Sequence, residues 1–76
     1  MALRHGRWRL FFYSNEGSEP VHAHVEAGEG SAKFWLTPVV LVGSTALRPH
    51  ELREIERILK QNRAFLLEAW NEYFGR

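Results

Sequence analysis

Hydrophobic and polar positions change period once along the chain, and that change divides it into a strand-forming part and a helical part. From Arg7 to Tyr13 the residues alternate: Trp8, Leu10 and Phe12 fall on one side, Arg7, Arg9, Phe11 and Tyr13 on the other. A period of two is that of a half-buried strand. Ser14 to Pro20 holds Asn, Gly, Ser and Pro with two glutamates, a polar connection that cannot continue a ladder. Alternation resumes from Val21 to Ala27, with Val21, Ala23, Val25 and Ala27 opposed to His22, His24 and Glu26. Gly28-Glu29-Gly30 suits a tight hairpin, so the run Ser31 to Thr37 is expected to pair antiparallel with it, placing Ala32, Phe34 and Leu36 opposite Lys33 and Trp35. After Pro38, Val39-Val40-Leu41-Val42 before Gly43 reads as a short fourth strand, buried or at an edge.

From Pro49 the period is helical. Proline has the right φ for a first helical position, Glu51 favours the positive helix end, and Leu52, Ile55 and Leu59 begin an apolar stripe that runs on through Leu66, Ala69 and Tyr73. An unbroken helix of this length would span about 39 Å, whereas a compact chain of this size has a radius of gyration near 11 Å. A break at Gln61-Asn62-Arg63 is therefore expected, with Asn62 as the N-cap of a second segment and Gly75 as the final C-cap. The fold class read from these patterns is α+β: an antiparallel meander of three to four strands, then a C-terminal helical segment packed on one sheet face.

Composition narrows the function classes. Seventy-six residues make a single domain, spanning 1–76, with a thin core. Without cysteine there is no disulfide and no thiolate zinc site. A net charge of +1 predicts no general preference for nucleic acid or membrane, although Arg4, Arg7 and Arg9 form a local basic patch. The apolar run Leu10 to Tyr13 is too short for a signal-peptide core or a membrane span, and a cytoplasmic protein is the expectation.

Three groups of residues carry candidate chemistry. His22, His24 and Glu26 share one side of a strand, roughly 6–7 Å apart along the backbone, and can converge on zinc or a similar divalent metal. Zinc takes about four ligands, so His50, His5 or water would have to complete the set. The competing and favoured reading is structural histidines, paired with Glu16, Glu19 or Glu29 or capping the backbone groups of the turn. The second group is the outward sheet surface formed by Arg7, Arg9, Phe11, Tyr13, His22, His24, Lys33 and Trp35. Cations interleaved with rings are how single-stranded nucleic acid is held, but burial or a protein interface explains the same surface and is favoured by the small net charge. The third is Trp70, Tyr73 and Phe74 at the helical end, expected as core and as a surface for a protein partner or a second copy. No nucleophile signature, phosphate-binding glycine loop or His-Glu-x-x-His is present. Acid–base chemistry on RNA by the histidine pair has no pocket to support it, so an interaction module is favoured over an enzyme.

The run FFYSNEGSEPVHAHVEAGEGSAKFWLTPV, followed by LRPHELREIERILKQNRAFLLEAW, resembles a family of small bacterial proteins known as domain of unknown function 4160. Its pattern comprises a FYSNEG-like strand and turn, a Pro-Pro-His-x-His-Val strand, a Gly-rich hairpin before Lys-Phe-Trp, and a Leu-Leu-Glu-x-Trp run. Two positions depart from it. Val21 stands where the second proline is usual, and Arg48 replaces the serine of a Ser-Pro-x-Glu capping box, losing a side-chain cap worth about 1 kcal/mol. The resemblance implies a place in a two-gene, toxin–antitoxin-like system and brings no catalytic residues. Alternatives are an RNA-binding or RNA-cleaving toxin using the basic, aromatic face, and a metal-binding domain using the His-x-His strand.

Overall fold

The structure, a computed structural model, describes residues 2–13 and 18–75. Five strands, β1 (Ala2–His5), β2 (Trp8–Phe11), β3 (His22–Ala27), β4 (Gly30–Leu36) and β5 (Val39–Thr45), are followed by helices α1 (Pro49–Gln61) and α2 (Arg63–Phe74). The sheet order is β1-β2-β3-β4-β5, every neighbour antiparallel. The α+β meander is thus as expected, but it has five strands rather than three or four. The additional strand is β1, whose Leu3 stands opposite Leu10 and whose Arg4 stands opposite Arg9. Four residues with one large apolar side chain are too few to display a period. Strand β5 also runs past Gly43 to Thr45, because backbone pairing with β4 continues where the apolar pattern stops.

Register places the core on one side of the sheet. Leu10 faces Val25, and Val25 faces Ala32, so the inward residues of three strands line up in rows. Trp8, Leu10, Phe12, Ala23, Val25, Ala32, Phe34 and Leu36 form one buried cluster with Ile55, Ile58 and Leu59 of α1 and Leu66 and Trp70 of α2. Trp8 Nε1 is buried there without a hydrogen-bond partner among the described residues. Gly28, at φ 58°, makes the β3–β4 turn, a conformation that costs glycine no steric penalty. At Gly30 a Cβ would run into Leu47, so a side chain is excluded by close approach.

The helix break falls at Asn62, but not by the expected cap. Asn62 Nδ2 donates to the Ile58 carbonyl at 2.9 Å, and its backbone N–H reaches the same carbonyl at 3.0 Å. Its side chain therefore closes the end of α1 instead of opening α2, which has no side-chain cap. The bend keeps the largest dimension of the molecule at 34 Å. At the start of α1 the missing serine is compensated from the other direction: Arg48 N–H donates to Glu51 Oε1 at 2.8 Å, and Arg7 Nη1 lies 3.1 Å from Glu51 Oε2. Gly75 ends α2 in the left-handed region at φ 72°. Among the described residues, no helix is long and apolar enough to cross a membrane.

Candidate binding surface on the outer sheet face

The sheet side turned away from the core carries most of the chemistry the sequence offers. Strand alternation and register put Phe11, His24 and Lys33 in one row, Arg9, Glu26 and Ser31 in the next, and His22 beside Trp35. The His24 ring stacks on Phe11 at 5.5 Å and 22°, and Tyr13 meets it edge-on at 4.7 Å. Together with the β5 residues Val42 to Thr45 they border an open depression of about 360 Å³.

Both cations in these rows already have a carboxylate. Arg9 Nη1 lies 3.0 Å from Glu26 Oε1, and its guanidinium sits 4.4 Å from the Phe11 ring centre. Lys33 Nζ lies 2.8 Å from Glu19 Oε1 and 5.0 Å from the Trp35 ring centre. The rings and cations form cation–π pairs, while Glu26 and Glu19 compensate the positive charge. Glu19 is a member of this surface that the alternation could not place, because it sits in the connection and not on a strand. Glu16, another carboxylate expected near the histidines, lies outside the described residues, as does the 14–17 part of the polar connection.

Four sequence-based expectations require correction. Phe11 is buried, 7% exposed, with the Tyr13 and His24 rings and the Arg9 guanidinium packed against it, so it supports the outer face and is not an accessible part of it. His22 is fully buried and is not part of an accessible surface. Its Nδ1 lies 2.9 Å from the Pro20 carbonyl, and since a carbonyl only accepts, that nitrogen carries the proton. Its ring is packed edge-on against Trp35 at 5.9 Å, Trp70 at 5.0 Å and His24 at 5.1 Å. Arg7 leaves the face as well. It lies in the β1–β2 turn, reaches Glu51 on α1 and covers the Trp8 ring at 4.4 Å, because a turn residue is released from strand alternation. Trp70, expected both as core and as partner surface, is core alone: it is 4% exposed, with Phe12 at 5.0 Å and Phe74 at 4.3 Å. The helix bend brings it over the end of the sheet, leaving Tyr73 exposed and Phe74 half-buried.

Of the candidate metal ligands, His22 and His24 are neighbours, whereas the Glu26 carboxylate is turned to Arg9. Among the described residues, no group of three His, Asp or Glu is gathered in a way that could hold a metal ion. His5 and His50 are exposed and do not complete a set.

Two features were not singled out from sequence. Arg63 Nε donates to the Leu36 carbonyl at 2.6 Å and its Nη2 to Thr37 Oγ1 at 3.0 Å, tying α2 to the end of β4. Strand β5 is the free edge of the sheet opposite β1, and Val40, Leu41 and Val42 are 47%, 39% and 46% exposed. The apolar run marked it as a strand, but only the pairing order makes it an edge.

No curated protein and no solved structure matches the chain. The family described as "Domain of unknown function (DUF4160)" matches residues 8–71, from β2 through most of α2, and the chain belongs to that family.

Proposed function

We propose that the chain is a protein-interaction module that receives an extended partner segment along β5, in keeping with one component of a two-gene, toxin–antitoxin-like system. The observation that supports this reading is the edge itself. Val39–Thr45 contains no charged residue and no proline, the devices by which sheet edges are normally kept from pairing. Its one guard is a bulge: Lys33 pairs with Gly43 and Phe34 with Leu41, so Val42 is the extra residue. Strand addition draws affinity from main-chain hydrogen bonds and specificity from alternate side chains. Next to the edge, Pro20, Val21, Trp35, Pro38 and Val40 line an apolar depression of about 320 Å³ that would take such a side chain. The test is co-purification with the product of the adjoining gene, with and without Leu41→Lys. Capture by the parent chain and loss in the variant supports the reading; equal capture by both removes it.

A second reading is favoured by the cation–ring pairs of the outer face. Tyr13 is 50% exposed beside His24 and Lys33 and offers a stacking surface for an unpaired RNA base. Binding through phosphates weakens steeply with salt, so a flat salt response of any RNA binding would remove this alternative.

A further inference from the structure

We infer that a second copy of this chain docks across the outer side of the two helices, related by a two-fold axis at the Asn62–Arg63 junction. This surface is separate from the β5 edge and stands or falls without it. The inference begins with which helix residues are spared by the core. Ile55, Ile58, Leu59, Leu66 and Trp70 are buried, while Arg53, Arg57 and Lys60 on α1 and Phe65, Glu68 and Glu72 on α2 are exposed. The outer face of α1 thus carries three cations and one carboxylate, Glu56, and that of α2 is acidic around a phenylalanine that is 53% exposed.

Their spacing is self-complementary. Arg57 lies five residues before Asn62 and Glu68 five residues after Arg63; Arg53 and Glu72 each lie nine away, and Lys60 and Phe65 each two away. In a two-fold contact, residue i of one protomer meets j of its partner while j meets i. Two antiparallel copies of the bent helix pair, crossing at the junction, therefore set Arg57 opposite Glu68 and bring Arg53 to the same side as Glu72, each contact made twice. Asn62 does not interrupt the path, since the Asn62 N–H reaches the Ile58 carbonyl and the Leu66 N–H reaches the Asn62 carbonyl, carrying the helical hydrogen-bond spacing through the bend. Phe65, two residues from the axis and 53% exposed, adds an aromatic of the kind enriched in interface centres.

Within one chain these charges are largely unclaimed. Lys60 pairs with Glu56 at 2.8 Å, but Arg53, Arg57, Glu68 and Glu72 form no ion pair among the described residues. An identical chain is the partner that offers an opposite charge to both arginines and both glutamates of this face, and that match commits the site to self-association.

Sedimentation velocity over a concentration series tests it, using charge reversals at exposed positions where folding is little affected. The parent chain is expected to dimerise. Arg57→Glu and Glu68→Arg should each weaken the dimer by about tenfold or more, because two attractive pairs become two repulsive ones. The chain carrying both reversals should recover parental association, and an equimolar mixture of the two single variants should form a heterodimer. A parent chain that stays monomeric at every concentration overturns the inference. So does a dimer indifferent to both single reversals, or a double reversal no stronger than the singles.

Discussion

His22 and Trp70 meet edge to face with ring centres 5.0 Å apart at 63°, and this contact joins the histidine strand to the last helix. The same imidazole holds the chain entering β3 through the Pro20 carbonyl. His22 is therefore a structural residue placed where strand, connection and helix meet. His22→Ala should lower unfolding free energy by about 2–4 kcal/mol, from the lost hydrogen bond and the cavity beside Trp70. His24→Ala, at a half-buried position, should cost about 1 kcal/mol or less. Urea denaturation of the two variants checks this, and equal losses would contradict it.

Ala46 adopts φ 55° between β5 and α1. The left-handed region costs a non-glycine residue roughly 1–2 kcal/mol, more than the entropy that glycine loses on folding, roughly 0.5–1 kcal/mol. Ala46→Gly should therefore stabilise the domain by about 0.5–1 kcal/mol, read as a higher denaturation midpoint with an unchanged slope. A lower midpoint would be inconsistent with that backbone geometry.

Glu51 has its carboxyl pKa held below the usual glutamate value, first by the Arg48 backbone N–H and further by Arg7. A group whose folded pKa is depressed contributes stability that is complete above its unfolded value, about 4.3, and that is lost as pH falls through the folded value. Stability below about pH 4.3 should consequently fall less steeply in Glu51→Gln than in the parent chain. Arg7→Ala should show a smaller change of the same sign, because the backbone donor remains. Parallel acid-denaturation profiles would refute the assignment.

Val42 is the bulged residue of the free edge and is 46% exposed. Val42→Lys should change unfolding free energy by no more than about 0.5 kcal/mol while reducing partner capture and strand-mediated aggregation. Thioflavin fluorescence on prolonged incubation and pull-down of the adjoining gene product read the two effects. A variant that aggregates and binds like the parent would argue that β5 is not the reactive edge.

Among the described glycines, Gly30 is the one where an added Cβ would meet other atoms, those of Leu47 and the Ala46 carbonyl. Gly30→Ala should cost about 1–3 kcal/mol through overpacking, and pairing it with Leu47→Ala should recover part of that loss. Additive losses in the double variant would show that Leu47 does not set the limit.

Local pattern was enough to read the alternating strands, the outward row of Phe11, His24 and Lys33, the start of α1 at Pro49 and the break near Asn62. Each of these depends on residues a few positions apart, where backbone period and turn chemistry act directly. Strand β1 was not legible, since Leu3 and Arg4 acquire their roles only by pairing with Leu10 and Arg9. The direction of the Asn62 side chain was equally hidden: asparagine can cap a helix from either side, and which carbonyl or N–H it meets depends on the bend.

What the sequence determined by itself is thus the period of every long element and the residue types available to each face. Accessibility and partnership were decided by the tertiary structure, because both depend on contacts between segments far apart in the chain. Trp70 was withdrawn from the surface by closing over Phe12 and His22, Arg7 was drawn to Glu51, and the cations of the outer face were neutralised by Glu19 and Glu26. The same long-range packing left β5 as an edge and exposed complementary charges on the two helices, the two surfaces on which the functional proposals stand.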